Sequence, residues 1–593
     1  MDDQNKNLIL ATALSFIVIL TWFVLFPPPE VAETAPSAEV TSADGTILDV
    51  DAQVLTQAAN NADLAPLSAE DVMADAPRVV IDSESLTGSL SLMGGRIDDL
   101  SLKDYRETLK SDADLVRLLS PIGTDAPYYS LQGWVAAVGA TPDQVPGAST
   151  QWKVEIGEVL SPGNNVTLFW ENGVGLTFRK TFAVDEDFLF TITQTVENMT
   201  GAEIALRPYG LVARHGEPEQ IGFFIQHEGV VRMSDGSMEE INYDDMPDLT
   251  TEESRIEVKE NGWIGFSDQY WMTALIPSPG RDFRSTAKFA NDIYQVETVY
   301  PMVNVAAGET ASADTQFFAG AQEWEVIRGY QNNLGIDRFL DSIDWGWFFF
   351  LTKPIFAMLH WLNGLIGNMG WSIICLTFVI KALLLPLAYK SYVSMAKMRE
   401  LQPEMAKLKE ASGDDREKLQ KGMMALYKDN KVNPASGCLP ILMQIPIFFS
   451  LYKVIFVTIE LRHAPWIGWI NDLSAPDTST LYNLFGVLPW DAPAPDSILA
   501  LVFIGVMPIV LGISMWLQQK LNPAPTDATQ KMIFAWMPWV FMFMLGGFAS
   551  GLVLYWIANN TITFMQQYAI MRSQGFKPDL FGNITGRDKT DPE

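Results

Sequence analysis

The side chain best placed to do chemistry in this chain is a lysine inside an apolar segment. Lys381 lies in WSIICLTFVIKALLLPL, roughly seven residues, or about 10 Å, from the nearer end of the helix that this segment predicts. It is the one ionisable side chain that we assign to the interior of a membrane span, where such residues usually mark a functional site. Since no acidic residue of the predicted spans can neutralise it, we expect water around its ammonium group, and therefore a hydrated cavity.

Polar groups on three predicted helices fall at a similar depth and are predicted to line one recess open to the cytoplasm and the bilayer. A purely structural role stays open for each of them, because a lysine can extend its stem to the interface and amides often join helices. Besides Lys381 they are Thr377 on the same helix face, Gln444 in GCLPILMQIPIF, and Asn559, Asn560 and Thr563 in SGLVLYWIANNTITF.

Six apolar segments are candidates for crossing the membrane. We interpret the first as an uncleaved anchor, because it is longer than the roughly 7–15-residue core of a signal peptide and precedes three prolines. A further segment, 344–366, is aromatic but interrupted by Lys353 and His360. It predicts an amphipathic helix on the outer membrane surface, with a poor transmembrane helix as the alternative. The six segments lie near residues 8–26, 369–388, 438–458, 499–517, 532–547 and 552–571.

The basic residues of the loops predict the orientation. Loop 389–437 carries ten Lys and Arg residues, loop 459–498 one, loop 518–531 two, and the tail after 571 four. Because cytoplasmic loops are enriched in Lys and Arg, both termini are predicted to be cytoplasmic. Within 389–437, two periodic apolar stretches flank the sequence SGDD, which predicts an αα-hairpin projecting into the cytoplasm, with a kink at Pro403 in its first helix.

Acidic residues concentrate in one part of the chain. Residues 27–344 hold 52 acidic and 19 basic residues, a net charge of −33, whereas the remainder holds 19 and 21, a net charge of +2. Residues 27–75 are rich in Ala, Pro, Asp and Glu, which predicts a flexible linker. Beyond them, alternating patterns such as those at 86–92 and 188–193 predict strands of a large antiparallel β-sandwich.

The predicted architecture is therefore an α-helical polytopic membrane core, a large periplasmic antiparallel β-sandwich and a cytoplasmic αα-hairpin. Six transmembrane helices are predicted, five of which form a bundle with a polar groove. The predicted boundaries are 1–26 for the transmembrane anchor, 27–75 for the linker, 76–335 for the sandwich, 336–366 for a connecting segment with the interfacial helix, 367–575 for the membrane core including the hairpin 389–437, and 576–593 for a cytoplasmic tail.

Long motifs in both regions resemble the YidC/Oxa/Alb family of membrane protein insertases, in its Gram-negative form with a large periplasmic domain. The resemblance spans roughly residues 76–575. It rests on SMAKMRELQPEM, MMALYKDNKVNPASGCLPILMQIPIFFSLY, ELRHAPWIGWINDLSAPD and FASGLVLYWIANNTITFMQQ, and more loosely on GWIGFSDQYWMTALIP in the acidic region.

The resemblance implies an inner-membrane protein that inserts and folds other membrane proteins, alone or with the Sec translocon, without enzymatic chemistry, cofactor or metal. Expected partners are nascent membrane proteins, Sec translocon components, the lipid bilayer, and the ribosome and signal-recognition targeting machinery through the hairpin and the tail, with no direct binding of DNA. Substrate-contact positions of the family fall on Lys381, Thr377, Gln444, Ile445, Pro446 and, in the last helix, Trp556 beside Tyr555.

Two of these positions depart from the family pattern. Lys381 stands where many members have arginine, so its charge is expected to matter more than the fixed fork of a guanidinium. Trp556 stands where tyrosine is frequent, which puts a role for a hydroxyl group at that position in question.

Three other classes of protein share parts of this pattern. An ion- or anion-coupled transporter or channel is the main alternative, because a recess with a buried lysine could bind an anion, although no inverted repeat is visible. A membrane-bound hydrolase is disfavoured, since the sequence has no H-E-x-x-H, G-x-S-x-G or P-loop motif. A periplasmic binding protein on an anchor would account for the sandwich but not for the polar groups of the core.

Overall fold

The chain combines a β-rich region with a helical region that follows it. The computed structural model describes residues 67–74, 77–218, 226–413, 415–430, 439–485, 503–522 and 528–575, and a few positions between 486 and 502. The predicted anchor 8–26, most of the linker 27–75 and the predicted tail 576–593 lie outside the described residues.

Strands in the first half of the chain form two sheets that pack face to face, which confirms the predicted β-sandwich. Neighbouring strands pair antiparallel, apart from β1 and β7, which run parallel. The strands are β1 (Arg78–Asp82), β2 (Leu86–Ser91), β3 (Arg96–Arg106), β4 (Leu115–Leu119), β5 (Tyr128–Val138), β6 (Lys153–Ile156), β7 (Val159–Leu160), β8 (Val166–Glu171), β9 (Leu176–Val184), β10 (Leu189–Asn198), β11 (Ile204–His215), β12 (Gly229–Ser234), β13 (Ser237–Asn242), β14 (Arg255–Val258), β15 (Gly262–Ser267), β16 (Trp271–Pro277), β17 (Phe283–Ala290), β18 (Ile293–Val299), β19 (Val303–Val305) and β20 (Thr310–Ala321).

The sandwich buries one side of each alternating strand, as period-2 patterning requires. One sheet has the order β14-β17-β18-β11-β5-β3-β2-β1-β7, with β4 and β19 beside it, and the other has the order β13-β12-β15-β16-β20-β10-β9-β8-β6. In the second sheet, Phe190 pairs with Phe317 of β20, and both are fully buried. Such aromatic pairs supply much of the apolar area between the sheets.

The last part of the predicted linker is folded, which differs from the expectation of flexibility up to residue 75. Helix α1 (Ala69–Ala74) begins after Ser68, whose Oγ accepts a hydrogen bond from the backbone N–H of Asp71 at 3.2 Å. Leu67 donates its backbone N–H to the carbonyl of Gly123 at 2.9 Å. This short helix is therefore held by a side-chain cap and by the sandwich rather than by its own length.

A buried lysine in the sandwich binds a turn of two glycines. Lys180 Nζ donates to the carbonyls of Gly94 and Gly95 at 2.9 and 3.2 Å and lies 4.8 Å from the ring of Trp152. Both glycines have positive φ, 76° and 60°, a conformation that other residues rarely adopt. Burial lowers the pKa of Lys180 to about 7, with the nearby charge of Arg96 acting in the same direction.

This lowered pKa predicts a rise in stability with pH. The folded protein loses the proton of Lys180 near pH 7, whereas the unfolded chain keeps it until about pH 10.4, so the free energy of unfolding should increase between these values. Denaturant unfolding followed by tryptophan fluorescence from pH 7 to 9 should show this slope in the native protein. Lys180→Met should flatten it, and equal slopes in both proteins would contradict the assignment.

Helices dominate the second half of the chain. Those after α1 are α2 (Thr251–Ser254), α3 (Trp324–Leu334), α4 (Phe349–Ile366), α5 (Met369–Leu383), α6 (Leu385–Glu400), α7 (Gln402–Ser412), α8 (Arg416–Asp429), α9 (Leu439–Val457), α10 (Val506–Lys520), α11 (Ala528–Met544) and α12 (Ser550–Ser573). Short 3-10 turns lie at Pro142–Gln144, Tyr243–Asp248, Phe339–Ser342, Ile459–Leu461, Leu481–Asn483 and Leu545–Gly547.

The helix predicted over 369–388 is broken, which corrects the sequence-based expectation. Helices α5 and α6 meet at Leu384 with a bend of 68°. Pro386 explains the break, because it cannot donate a hydrogen bond to the carbonyl of Ala382 and its ring would clash with that carbonyl in a continuous helix. Lys381 therefore lies in the last turn of α5, closer to a helix end than predicted.

Length and composition single out few of the described helices as candidate spans. Only α4 is long and apolar enough by itself to cross a membrane, and α5 and α6 reach that length only when they are taken together as one bent helix. Shorter apolar helical stretches lie at Leu442–Val457 and Met532–Gly547. The count of six transmembrane helices thus stays a prediction.

Helices α7 and α8 form an antiparallel pair. Gly422 lies against Leu408, and the hydroxyl of Tyr427 lies 3.8 Å from the sulfur of Met405. The second helix begins after Asp415, whose carboxylate accepts the backbone N–H of Lys418 at 3.0 Å. Pro403 does not kink a helix interior as predicted, because the chain already breaks at Leu401 and the proline occupies the first turn of α7.

Candidate functional site

A chain of hydrogen bonds joins three helices at the predicted polar site. Lys381 Nζ of α5 donates to Gln444 Oε1 of α9 at 3.0 Å. The Nε2 group of the same glutamine donates to the hydroxyl of Tyr555 in α12 at 2.6 Å. The amide therefore fixes both an ammonium group and a phenol, and the three side chains form one polar unit.

The ammonium group of Lys381 keeps hydrogen-bonding capacity beyond this unit. A protonated lysine has three donors, and one of them is used by Gln444. Among the described residues, no ion pair involves Lys381, and its side chain is only partly buried. Water or an incoming carboxylate is the natural partner for the two remaining donors.

One face of α12 continues the polar surface. Tyr555, Asn559, Thr563 and Gln566 recur at spacings of three and four residues and so share this face. Gln566 Nε2 donates to the backbone carbonyl of Lys381 at 3.3 Å, which ties α12 to the end of α5. Asn559 Oδ1 and Thr563 Oγ1 are buried without a hydrogen-bond partner among the described residues. Buried polar atoms of this kind usually bind water.

The remaining predicted polar residues point elsewhere, so the single predicted recess is divided. Asn560 Nδ2 donates to Ser514 Oγ of α10 at 3.2 Å, while Asn559 Nδ2 lies 3.4 Å from Asn560 Oδ1. Thr377 is buried and donates its hydroxyl to the carbonyl of Ile373 in its own helix at 2.7 Å. The hydroxyl group of Thr377 thus has its hydrogen-bond partner within its own helix, and the amide of Asn560 joins α12 to α10.

Apolar side chains frame the polar unit on the side of α9. Ile445 is exposed and Pro446 is half-buried, and both follow Gln444 directly. Trp556 stacks on Phe448 with ring centres 5.3 Å apart and an angle of 15°. The neighbouring Tyr555 has a hydroxyl group, which accepts the hydrogen bond from Gln444.

Lys381 is not the one ionisable residue of the predicted spans, because Lys453 also lies within the predicted segment 438–458. Lys453 lies in the last turns of α9, its side chain is 7% exposed, and it forms an ion pair with Asp344. Asp344 also accepts the backbone N–H groups of His227 at 2.9 Å and Gly346 at 3.0 Å. A lysine in the apolar run FFSLYKVIFV was visible in the sequence, but its partner lies more than one hundred residues away.

Breaking this pair should destabilise the fold. Lys453→Met leaves the half-buried Asp344 carboxylate with only its two backbone donors, which should cost on the order of 1.5–3 kcal/mol, the range for a hydrogen bond between charged groups. Thermal unfolding in lipid nanodiscs should therefore show a marked fall in Tm, and Lys453→Met combined with Asp344→Asn should recover much of it. Lys421→Met is the matched control, because Lys421 and Glu417 form an exposed pair. Equal Tm values for the two single variants would refute a stabilising role.

Polar contacts hold helix α4 near its start, in its middle and just past its end. Lys353, near its start, pairs with Asp341. His360, in its middle, contacts Glu460 at 2.7 Å and Glu325 at 3.0 Å. Asn368, just past its end, donates to the carbonyl of Pro465 at 3.2 Å. The helix thus lies along α3, the connector before it and the segment that follows α9.

The chemical groups of the polar unit suit binding rather than a bond-breaking reaction. The unit offers an amine, an amide and a phenol, which can bind the polar segments of another chain. Within the described part of the chain, no group of three or more His, Cys, Asp or Glu side chains could hold a metal ion.

A helical region that carries a polar unit with one lysine, joined to a β-sandwich, is the combination that the sequence motifs led us to expect for a membrane protein insertase, and comparisons with known proteins agree. Residues 361–577 match the family described as 60Kd inner membrane protein, and residues 78–358 match the YidC periplasmic domain. The membrane protein insertase YidC of Roseobacter denitrificans is 62% identical over 610 residues, covering 100% of both chains. That of Dinoroseobacter shibae is 62% identical over 600 residues, covering 99% of both.

The chain belongs to the YidC family of membrane protein insertases, as an inner-membrane protein with a periplasmic domain. A crystal structure described as an active YidC insertase with its first transmembrane domain resolved is 18% identical, covers 83% of this chain and 94% of its own, and has a TM-score of 0.35. The family assignment rests on the sequence matches. The activity named for the relatives is insertion of membrane proteins, which is not an enzymatic reaction.

Proposed function

We propose that this chain inserts and folds inner-membrane proteins by receiving their polar segments at the unit of Lys381, Gln444 and Tyr555. The observation that carries the proposal is the hydrogen-bonded chain across three helices, with a partly exposed ammonium group at its end. Its occurrence in a chain 62% identical to membrane protein insertases supports the same role here. A transporter is not favoured by these relatives.

The proposed mechanism lowers the cost of moving polar groups through hydrocarbon. An aspartate at the centre of a helix in the membrane costs about 2.5–3.5 kcal/mol on insertion scales. A hydrated groove shortens the apolar distance, and Lys381 attracts acidic residues of the moving segment. No nucleotide is needed, because burial of the substrate's apolar helix in lipid supplies the free energy.

Release into lipid would follow the outward face of α9. Leu442, Met443, Ile445 and Phe449 are all exposed there, close in sequence to Gln444. An apolar segment can therefore move from the groove to the bilayer along a continuous apolar surface. Ile445 and Pro446, which directly follow Gln444, would contact it first.

The proposed topology has six spans, both termini in the cytoplasm and the pair α7–α8 on the cytoplasmic side. The distribution of basic residues supports this orientation. Helix α4 is proposed to lie on the outer surface, because its start, middle and end all contact elements of one side through Lys353, His360 and Asn368. Charged contacts along its length suit an interfacial helix better than a span.

The proposed partners follow from that topology. The α7–α8 pair and the tail 576–593 would receive the ribosome or the signal-recognition machinery, and the sandwich would face Sec components in the periplasm. The domain boundaries predicted from the sequence, with the sandwich at 76–335 and the membrane core at 367–575, define the segments to exchange or delete when these contacts are tested.

Reconstitution tests the function directly. Purified protein in liposomes receives a small single-span substrate with a short acidic outer tail, and protection of that tail from protease measures insertion. Protection above that of empty liposomes is expected. No gain over empty liposomes, with the protein folded, would overturn autonomous insertion, and an ion flux through the same liposomes would favour the transporter alternative.

A further inference from the structure

A second polar site lies apart from the groove, between the sandwich and the turns that join the helices. It is a cavity of about 490 Å³, within the size range of small-ligand sites. The sandwich, the segment after α9 and the turn between α11 and α12 each contribute part of its wall. Among its lining residues are Glu107, Tyr270, Arg462, Asp472, Met544 and Phe548.

The polar wall of the cavity carries both signs of charge. Arg462 is held by a hydrogen bond from Nη2 to the carbonyl of Arg106 at 2.6 Å and by the ring of Trp271, 5.4 Å from its guanidinium carbon. Two acidic residues, Glu107 and Asp472, also line the cavity, and Asp472 accepts hydrogen bonds from His463 and Ser474 through Oδ1, which leaves Oδ2 for a ligand. One guanidinium against two carboxylates leaves the wall slightly negative, so it disfavours a ligand that carries negative charge alone.

A histidine in the same wall adds no full positive charge near neutral pH. Desolvation lowers the pKa of His463, and the neighbouring charge of Arg462 lowers it further. Its backbone N–H donates to Asp472 at 3.1 Å, and its φ of 57° is unusual for a residue other than glycine. The loop is thus held in a strained turn that points Arg462 and His463 into one cavity.

The opposite wall opens onto an apolar stripe. Met544 lines the cavity and is 54% exposed, and it ends a row on α11 whose members recur every three or four residues. Val540 and Trp536, four and eight residues earlier, continue this exposed row away from the cavity, and Phe543 lies beside it. A polar cavity of mixed charge therefore meets a long apolar surface at one residue, which is the shape of an amphiphile with a zwitterionic head.

We propose that the cavity binds the headgroup of an outer-leaflet phospholipid that carries both a phosphate and an amine. The phosphate binds Arg462, the ammonium group lies between Glu107 and Asp472, and the acyl chains follow the α11 stripe through Met544. The assignment rests on the proposed outer position of the α11–α12 turn. A phospholipid fixed there would join the sandwich to the membrane core at a place where protein contacts leave a gap.

Native mass spectrometry of protein released from nanodiscs tests the proposal. The nanodiscs contain equal amounts of phosphatidylethanolamine and phosphatidylglycerol. The native protein should retain one phosphatidylethanolamine, and Arg462→Gln should reduce its retention about tenfold, as expected for the loss of one charge-assisted hydrogen bond. Gly547→Leu should have a similar effect, because Gly547 lines the cavity and the leucine would occupy space that the headgroup needs. A Cβ atom at this position meets no protein atom within 4 Å, so the substitution should not disturb the fold.

Matched controls distinguish a specific lipid site from a general effect of lost charge. Arg281→Gln, on the sandwich outside the cavity, should leave retention unchanged. Equal retention in all variants, or preference for phosphatidylglycerol, would overturn the proposal. If soluble phosphoethanolamine bound as tightly as the lipid, the apolar row on α11 would have no role in binding. If a photo-crosslinker at position 547 captured substrate polypeptide instead of lipid, the proposal that the cavity binds a phospholipid would be wrong.

A topology control keeps failure of the lipid site distinct from failure of the proposed orientation. Gly547→Cys in intact cells or right-side-out vesicles should react with a membrane-impermeant thiol reagent added outside. Absence of labelling, with labelling after the membrane is opened, would remove the outer position of the turn and with it the lipid assignment, while leaving the groove intact.

Discussion

Lys381→Met should slow the insertion of a single-span substrate with an acidic outer tail by roughly ten- to a hundredfold. The expected range corresponds to the loss of one charge-assisted hydrogen bond between the ammonium group and a tail carboxylate. Lys381→Arg should retain most of the activity, because it keeps the charge in the groove. Initial rates of protease protection in liposomes measure the effect.

The substrate supplies an internal control for this result. When the acidic residues of the tail are changed to their amides, native protein and Lys381→Met should insert it at similar rates. Lys520→Met is the control on the protein side, since Lys520 lies in the last turn of α10 beside Trp516. Equal loss with acidic and amide tails would show that Lys381 maintains structure instead of attracting charge.

Gln444→Leu is expected to impair insertion almost as strongly as the loss of Lys381. The leucine keeps the volume but removes both hydrogen bonds, so the ammonium group and the hydroxyl of Tyr555 lose their common partner. Tyr555→Phe removes one of the two bonds and should have a smaller effect. Tyr568→Phe, which removes a phenol hydroxyl from the same helix outside the polar unit, is the matched control.

The double variant distinguishes a connected unit from independent residues. Gln444→Leu with Tyr555→Phe should be no worse than Gln444→Leu alone, because the bond between them is already lost. Fully additive losses, measured as ratios of initial insertion rates, would contradict the hydrogen-bonded unit. Thermal unfolding of each variant separates a loss of activity from a loss of fold.

Much of the fold could be read from local patterns. Alternation at Phe188, Phe190 and Ile192 predicted buried strands, and all three side chains are buried in the sandwich. The depth of Lys381 and Gln444 along their helices placed them close together, and the structure joins them directly. Depth along a helix is a property of one segment and is visible in its own sequence.

The sequence did not predict which way each side chain faces around its helix, or which distant residue it contacts. Asn559 and Asn560 are neighbours in sequence, but their directions differ by about 100°, so they could not both face the groove. Asn560 bonds Ser514 instead. The partner of Lys453 comes from the connector before α4, and no local pattern encodes a contact between segments so far apart.

The bend at Leu384 connects the polar unit around Lys381 to the α7–α8 pair through a single helix, α6. Helix α6 is about 24 Å long, leaves the bend at 68° and is separated from α7 by Leu401 alone. On the other side of the bend, Gln566 holds the backbone carbonyl of Lys381. If a partner bound to the α7–α8 pair and moved it, α6 would move with it. The first part of the neighbouring structure to shift would then be the last turn of α5, which carries Lys381.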